Sequence, residues 1–182
     1  MIARMIAPLA RSVGNMLARG TLAMTNAAAK MQTLQVRILS GEAKDSVEHF
    51  EPYGYTANPN PGAEVLMQFF GGDRSHGVAI VVADRRYRLK GLASGEVALY
   101  DDIGHQVHLT RYGIVIRGAG QQVLITGTPK LRVEADIEAT GQIKDLCDSA
   151  GGKTMSAMRA TYNDHTHPGD SGGTTGAPNQ GM

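Results

Sequence analysis

The chain has 182 residues, enough for one medium or two small domains. Its 18 Lys and Arg against 17 Asp and Glu leave a net charge of +1, which excludes a broad electrostatic footprint for nucleic acid. Only 19% of residues are charged, and 23 glycines with no tryptophan favour turns and β-structure over a helical bundle. Cys147 stands alone, so no intrachain disulfide is available, and it reads as a small buried apolar residue.

Residues 1–31 form an expected N-terminal helical arm. Arg4, Arg11 and Arg19 interrupt the opening apolar run, leaving no signal-peptide core and no stretch long enough to cross a bilayer. The three arginines share one face of a helix, with Leu9, Val13, Met16, Leu17 and Met24 elsewhere around it, and Pro8 sits early enough for a first turn to tolerate it. Docking onto a partner protein or onto the rest of the chain is the expected role. A basic amphipathic helix lying on a membrane is the alternative.

Residues 32–90 read as a small Greek-key barrel of the OB type. Leu34, Val36 and Ile38 alternate, while residues 65–70 and 78–82 are continuous apolar runs of the kind found in more fully buried strands. Tyr53-Gly54-Tyr55 and Asn58-Pro59-Asn60-Pro61-Gly62 supply turns, and Gly71-Gly72-Asp73-Arg74 reads as a tight hairpin between two strong strands. OB barrels often bind oligonucleotides. The basic run Arg85, Arg86, Arg88 and Lys90 around Tyr87 is better explained as a solvated face. His49 and His76 have no partner at metal spacing and read as surface or turn residues.

From residue 91 onward the pattern becomes a string of short strands. Apolar pairs one residue apart recur at Val97/Leu99, Val107/Leu109, Ile114/Ile116, Val123/Ile125 and Leu131/Val133, separated by Asp101-Asp102, Gly104, Gly113, Gly118-Ala119-Gly120 and Gly127-Thr128-Pro129. Period-two alternation puts each pair on one face of a half-buried strand. One chain has nothing to cover that face. Burying each Val, Leu or Ile is worth roughly 1.5–3 kcal/mol. Three copies wound about a common axis would cover all the faces at once and leave few open edges. Residues 91–160 are therefore expected to wind with two other copies into a closed, intertwined prism, the shaft of a homotrimer.

His165-Thr166-His167 sharpens this reading. Imidazoles at i and i+2 of an extended segment point the same way. Two of them make a poor site alone, where zinc wants about four ligands. On a threefold axis three such pairs bring six nitrogens together as an octahedron, which suits iron(II), nickel or cobalt. By itself a histidine pair near a terminus is more often a solvated one, and the shaft before it is what raises the metal reading.

The alternating shaft, the His165-Thr166-His167 motif and the small-residue tail after it resemble the central spike of contractile phage tails, closest to the Mu-like members of the baseplate assembly protein V family. The resemblance covers most of the chain. It implies an all-β homotrimer with an OB-type collar at 32–90, an intertwined triple-stranded β-helix as the shaft at 91–160 and a metal-binding tip at 161–182, with one iron ion per trimer held by His165 and His167 of each chain. It implies a non-enzymatic virion protein of the tail baseplate, assembled in the host cytoplasm. Its partner would be the hub protein at the end of the tail tube, and its task to pierce the host outer membrane when the sheath contracts. No nucleic acid and no small-molecule substrate are expected.

Other constellations carry less. His105 and His108, three apart, fall on opposite faces of a strand and are not read as a metal pair. Glu134, Asp136 and Glu138 share a face; outward exposure is the expected account, with an axial cation such as calcium as the secondary one. The resemblance keeps open a calcium or chloride ion on the trimer axis. Gly169-Asp170-Ser171-Gly172-Gly173 matches the nucleophile loop of chymotrypsin-like proteases, but that chemistry needs an oriented base and a walled pocket. The nine residues after Gly173 are too few to build one. The Gly-, Ser-, Thr- and Pro-rich tail from Pro168 has no apolar set to bury and reads as disordered, while the resemblance implies that part of it folds back as a cap. Two rivals are kept, a trimeric receptor-binding fibre or adhesin and an OB-fold nucleic-acid-binding protein. Glycan binding would mark the first, and salt-sensitive binding to single strands the second.

Overall fold

A computed structural model describes residues 2–38 and 41–182. Its elements are α1 (Ile2–Asn15), β1 (Leu17–Asn26), β2 (Thr33–Ile38), β3 (Ala43–His49), β4 (Glu64–Phe69), β5 (Gly77–Ala83), β6 (Val97–Tyr100), β7 (Gln106–Thr110), β8 (Gly113–Arg117) and α2 (Met155–Asp164). They fall into two compact units, Met1–Leu124 and Ile125–Met182.

In the first unit, β1 to β5 close into a barrel in the order β1-β2-β3-β5-β4, the OB arrangement. Strand β1 is the longest and pairs antiparallel with both β2 and β4, and a short parallel pairing of β3 with β5 completes the wall. Closure requires the strands to bend. Register shifts between Leu22 and Met24 in β1 and between Leu34 and Val36 in β2 supply that bend. The inward set is Leu22, Leu34, Val36, Ile38, Val47, Ala63, Val65, Met67, Phe69 and Ala79, a single buried cluster. Thr33, Gln35 and Arg37 alternate outward from it along β2. Gly20 is required where β1 meets β2, because a Cβ there would stand 2.5 Å from Val36 Cγ1 and 2.7 Å from the Arg37 carbonyl.

The expected arm at 1–31 is therefore helical only through Asn15, and the barrel starts at Leu17 rather than at residue 32. The physical reason is the size of the inward residues. Gly20 and Leu22 are buried and Ala18 packs against the core, while the bulky Leu17 and Met24 face outward, so the strand shows no alternation of large apolar residues. The run at 78–82 is not buried throughout: Val78 and Ala79 are buried, whereas Val81 is exposed. The tight hairpin expected at 71–74 is a longer connection, a 3₁₀ turn at Phe70–Gly72 followed by a turn in which Asp73 Oδ1 accepts from the Ser75 N–H at 2.9 Å. Helix α1 joins the barrel at this connection, where Ser12 Oγ donates to the Gly71 carbonyl at 2.6 Å and the Phe69 N–H donates to the Met16 carbonyl at 2.8 Å.

Strands β6 to β8 form a separate three-stranded antiparallel sheet. Its register sets Val97 opposite Leu109 and Leu109 opposite Ile114, and sets Leu99 opposite Val107 and Val107 opposite Ile116. Residues directly opposite share a face, so these six aliphatic side chains make two adjacent rows on one side of the sheet. The rows are open to solvent, with Ile114 70% and Ile116 61% exposed.

The expectation of strands throughout 91–160 holds only to Arg117. Among the described residues no strand follows β8, so Val123, Ile125, Leu131 and Val133 lie outside any ladder and are exposed, and one isolated bridge joins Lys144 to Thr154. The second unit instead contains α2, which lies across the expected boundary between shaft and tip. Thr154 starts it, its hydroxyl accepting from the Ala157 N–H at 3.1 Å. Cys147, expected to be buried, is exposed in the turn before this helix.

Candidate metal centre at the end of helix α2

The tip begins where α2 stops. His165 is the C-cap residue, already extended at φ −70° and ψ 145°. His167 precedes Pro168, and the proline ring keeps the residue before it out of the helical region. The chain thus leaves the helix at His165, and the two rings meet edge to face with centroids 5.0 Å apart at 90°.

The His165 ring is oriented by the helix. Its Nδ1 lies 2.5 Å from the Tyr162 carbonyl, and the Tyr162 ring packs 5.3 Å from it. A carbonyl can only accept, so Nδ1 carries the proton and the lone pair of the neutral imidazole is on Nε2. A backbone carbonyl fixing one ring nitrogen so that the other can bind is the usual support of a metal-ligating histidine. The donor set therefore fits a metal that accepts imidazole, such as iron(II), nickel or cobalt. It is incomplete in one chain, since among the described residues no group of three or more His, Cys, Asp and Glu could hold an ion.

The tail is not a loose end. Gly169 N–H donates to the Gly173 carbonyl at 2.7 Å, closing a three-residue loop of Asp170, Ser171 and Gly172, and Pro168 bridges Thr174. Gly172 at φ +80° occupies the left-handed position such a loop needs. This hairpin accounts for the protease-like string. Ser171 Oγ lies 3.5 Å from the carboxylate of its neighbour Asp170.

The other candidates are engaged elsewhere. His105 Nδ1 lies 2.6 Å from Asp101 and His108 Nε2 lies 3.1 Å from Glu96, so the two do not converge. His49, expected at the surface, is buried, with Nδ1 3.1 Å from Gln32 Oε1; in β3 it alternates inward with Val47. Glu134, Asp136 and Glu138 are exposed, and Glu134 pairs with Arg132 at 2.6 Å. In the basic run, Arg85 pairs with Glu64 at 2.5 Å and Arg86 with Asp84 at 2.6 Å, and the Arg86 bonds hold the Asp84 carboxyl below the usual carboxylate range. Two of its four cations are thereby tied to the barrel.

Comparison with known proteins decides the family. The sequence family described as Bacteriophage Mu Gp45, N-terminal, matches residues 19–86, which is the barrel from β1 to just past β5. The baseplate puncturing device gp45 of Escherichia phage Mu is 36% identical over 184 residues, covering 95% of this chain and 93% of that protein. The chain belongs to the phage Mu gp45 family. The Mu-like prophage FluMu protein gp45 of Haemophilus influenzae is 39% identical over 127 residues, 70% of this chain and 69% of its own. As a gp45-family member the chain is a structural protein of the phage tail baseplate.

Proposed function

We propose that this gp45-family protein is the central tail spike of a contractile phage, a homotrimer that pierces the host outer membrane mechanically. The observation that carries the trimer is the open face of β6 to β8, where six aliphatic side chains stand in two registered rows, each at least 37% exposed. Roughly 1.5–3 kcal/mol per buried side chain makes such a face a strong drive to associate. Three copies winding together also give the exposed residues after Arg117 the hydrogen-bonding neighbours that one chain cannot supply. Near-complete alignment with a baseplate puncturing device supports the task.

In this reading the barrels form the collar that seats the spike on the hub protein at the end of the tail tube, and the wound segment is the shaft. His165 and His167 of three chains hold one iron ion between six imidazoles. The ion supplies cross-linking rather than reactivity: chain ends fray unless tied down, and bonds to a common ion bind three of them where apolar burial has run out. The protein turns nothing over, and its useful property is stiffness along the axis.

Native mass measurement with elemental analysis tests the proposal. Three subunits and one iron are expected. A folded, metal-free single subunit in dilute solution would overturn it. A fragment truncated before Gly95 should remain a soluble collar unable to breach membranes, and breaching by that fragment would refute the mechanical account.

A further inference from the structure

The two histidines are held by different devices. His165 is fixed through its ring by the last turn of α2. His167 is fixed through its backbone, and a single residue holds both of its peptide groups. The His167 N–H donates to Thr175 Oγ1 at 2.9 Å, and the His167 carbonyl accepts from the Thr175 N–H, also at 2.9 Å. The hairpin loop closed by Gly169 and Gly173 is what returns Thr175 to this place.

We propose that Thr175 is the positioning residue for the His167 ligand, and that the hairpin over residues 167–175 is a latch that sets the second imidazole of each pair against the first. The inference rests on the reading of His165 and His167 as metal ligands. Its chemistry is specific. A hydroxyl is needed to accept from the His167 N–H, and the main chain of residue 175 supplies the opposite bond. Serine can do both, whereas valine, nearly the same shape, can do only the second. Residues 167 and 175 are exposed, so the N–H released by valine is taken up by water and the fold survives. What is lost is the fixed direction of the His167 main chain. With His165 already pinned by the helix, that direction decides whether the two rings reach one ion together.

The test uses the full-length protein loaded with ferrous iron, the rate of iron release to excess chelator, and subunit mass from native mass spectrometry. Thr175→Val should keep the wild-type subunit mass and release iron roughly 10- to 100-fold faster, the usual effect of removing an outer support of a metal ligand. Thr175→Ser should restore release close to the wild-type rate. Valine releasing no faster than wild type, or serine releasing as fast as valine, overturns the latch. A wild-type protein that takes up no iron overturns the metal reading beneath it, which is a distinguishable result. Should the valine variant fail to assemble, Gly172→Ala strains the same hairpin from its far end, at φ +80° with open space around the position. It should also speed release, and unchanged release there counts against the latch.

Discussion

Glu96 and His108 meet beside the β6–β7 pair, Oε2 to Nε2 at 3.1 Å. Glu96 does more than pair with this ring. Its carboxylate also accepts from the Ala93 N–H at 3.0 Å and the Arg111 N–H at 3.1 Å, so one side chain ties the entry to β6 to the β7–β8 turn.

A pH dependence follows. The backbone bonds from Ala93 and Arg111, with the His108 bond, hold the Glu96 carboxyl below its usual 4.5 against the opposing effect of burial. At Asp101 burial pushes the carboxyl up, but bonds from His105 and from the N–H groups of His105, Ile103 and Gly104 outweigh it and leave it lowered from 3.8. A carboxyl lowered on folding stabilises the fold fully above its unfolded value, and that contribution is lost as pH falls through the lower folded value. The protection factors of β6 to β8, exchange rates taken relative to the intrinsic rate at each pH, should therefore hold between neutral pH and about 5 and fall on further acidification. Glu96→Gln should flatten part of this acid response. An acid response unchanged in Glu96→Gln would mean that other groups set it.

The barrel should depend on small residues as much as on large ones. Gly20→Ala forces a methyl against Val36 and the Arg37 carbonyl and should cost about 1–3 kcal/mol, the usual range for overpacking. Met67→Ala, at a position wholly buried, should cost about 2–5 kcal/mol. Chemical denaturation of the two variants against wild type checks both values.

What could be read in the sequence followed the size of the side chains. The pairs Val97/Leu99, Val107/Leu109 and Ile114/Ile116 were legible because large aliphatics alternate with other residues, and the register places all six on one face. Strand β1 was hidden because its inward positions include Ala18 and Gly20, which carry almost no hydrophobic signal. Helix α2 was hidden for a different reason. Its Thr154 cap and run of helix formers lay in a stretch whose neighbours read as strand, and local capping outweighed that context. At the tip the histidine pair was visible, but Tyr162 acts through its carbonyl and Thr175 through its hydroxyl and its N–H, contacts that spacing alone does not reveal.

The open rows on β6 to β8 should control assembly. Ile116→Lys puts a charge in a row that the proposed trimer would bury, and an unpaired buried charge is far more costly than a lost methyl group. The expected product is a folded, barrel-containing monomer by sedimentation. Tyr112→Lys, in the fully exposed β7–β8 turn, should leave three subunits together. A trimer that tolerated Ile116→Lys would place the contact on the other face of the sheet.

Replacing both His165 and His167 with Ala separates the tip from the shaft. Among the described residues the rings make one hydrogen bond, from His165 Nδ1 to the Tyr162 carbonyl, at the last turn of a helix whose residues are not part of the barrel core. Losing that bond should cost about 1 kcal/mol or less at an exposed site, because water replaces the donor. Metal uptake should vanish while the subunit count stays at three, and faster hydrogen exchange should be confined to residues near α2 and the hairpin. Dissociation to single chains would give the opposite assignment: the ion, rather than the aliphatic rows, would be what holds the copies together, and the shaft would be a consequence of the tip.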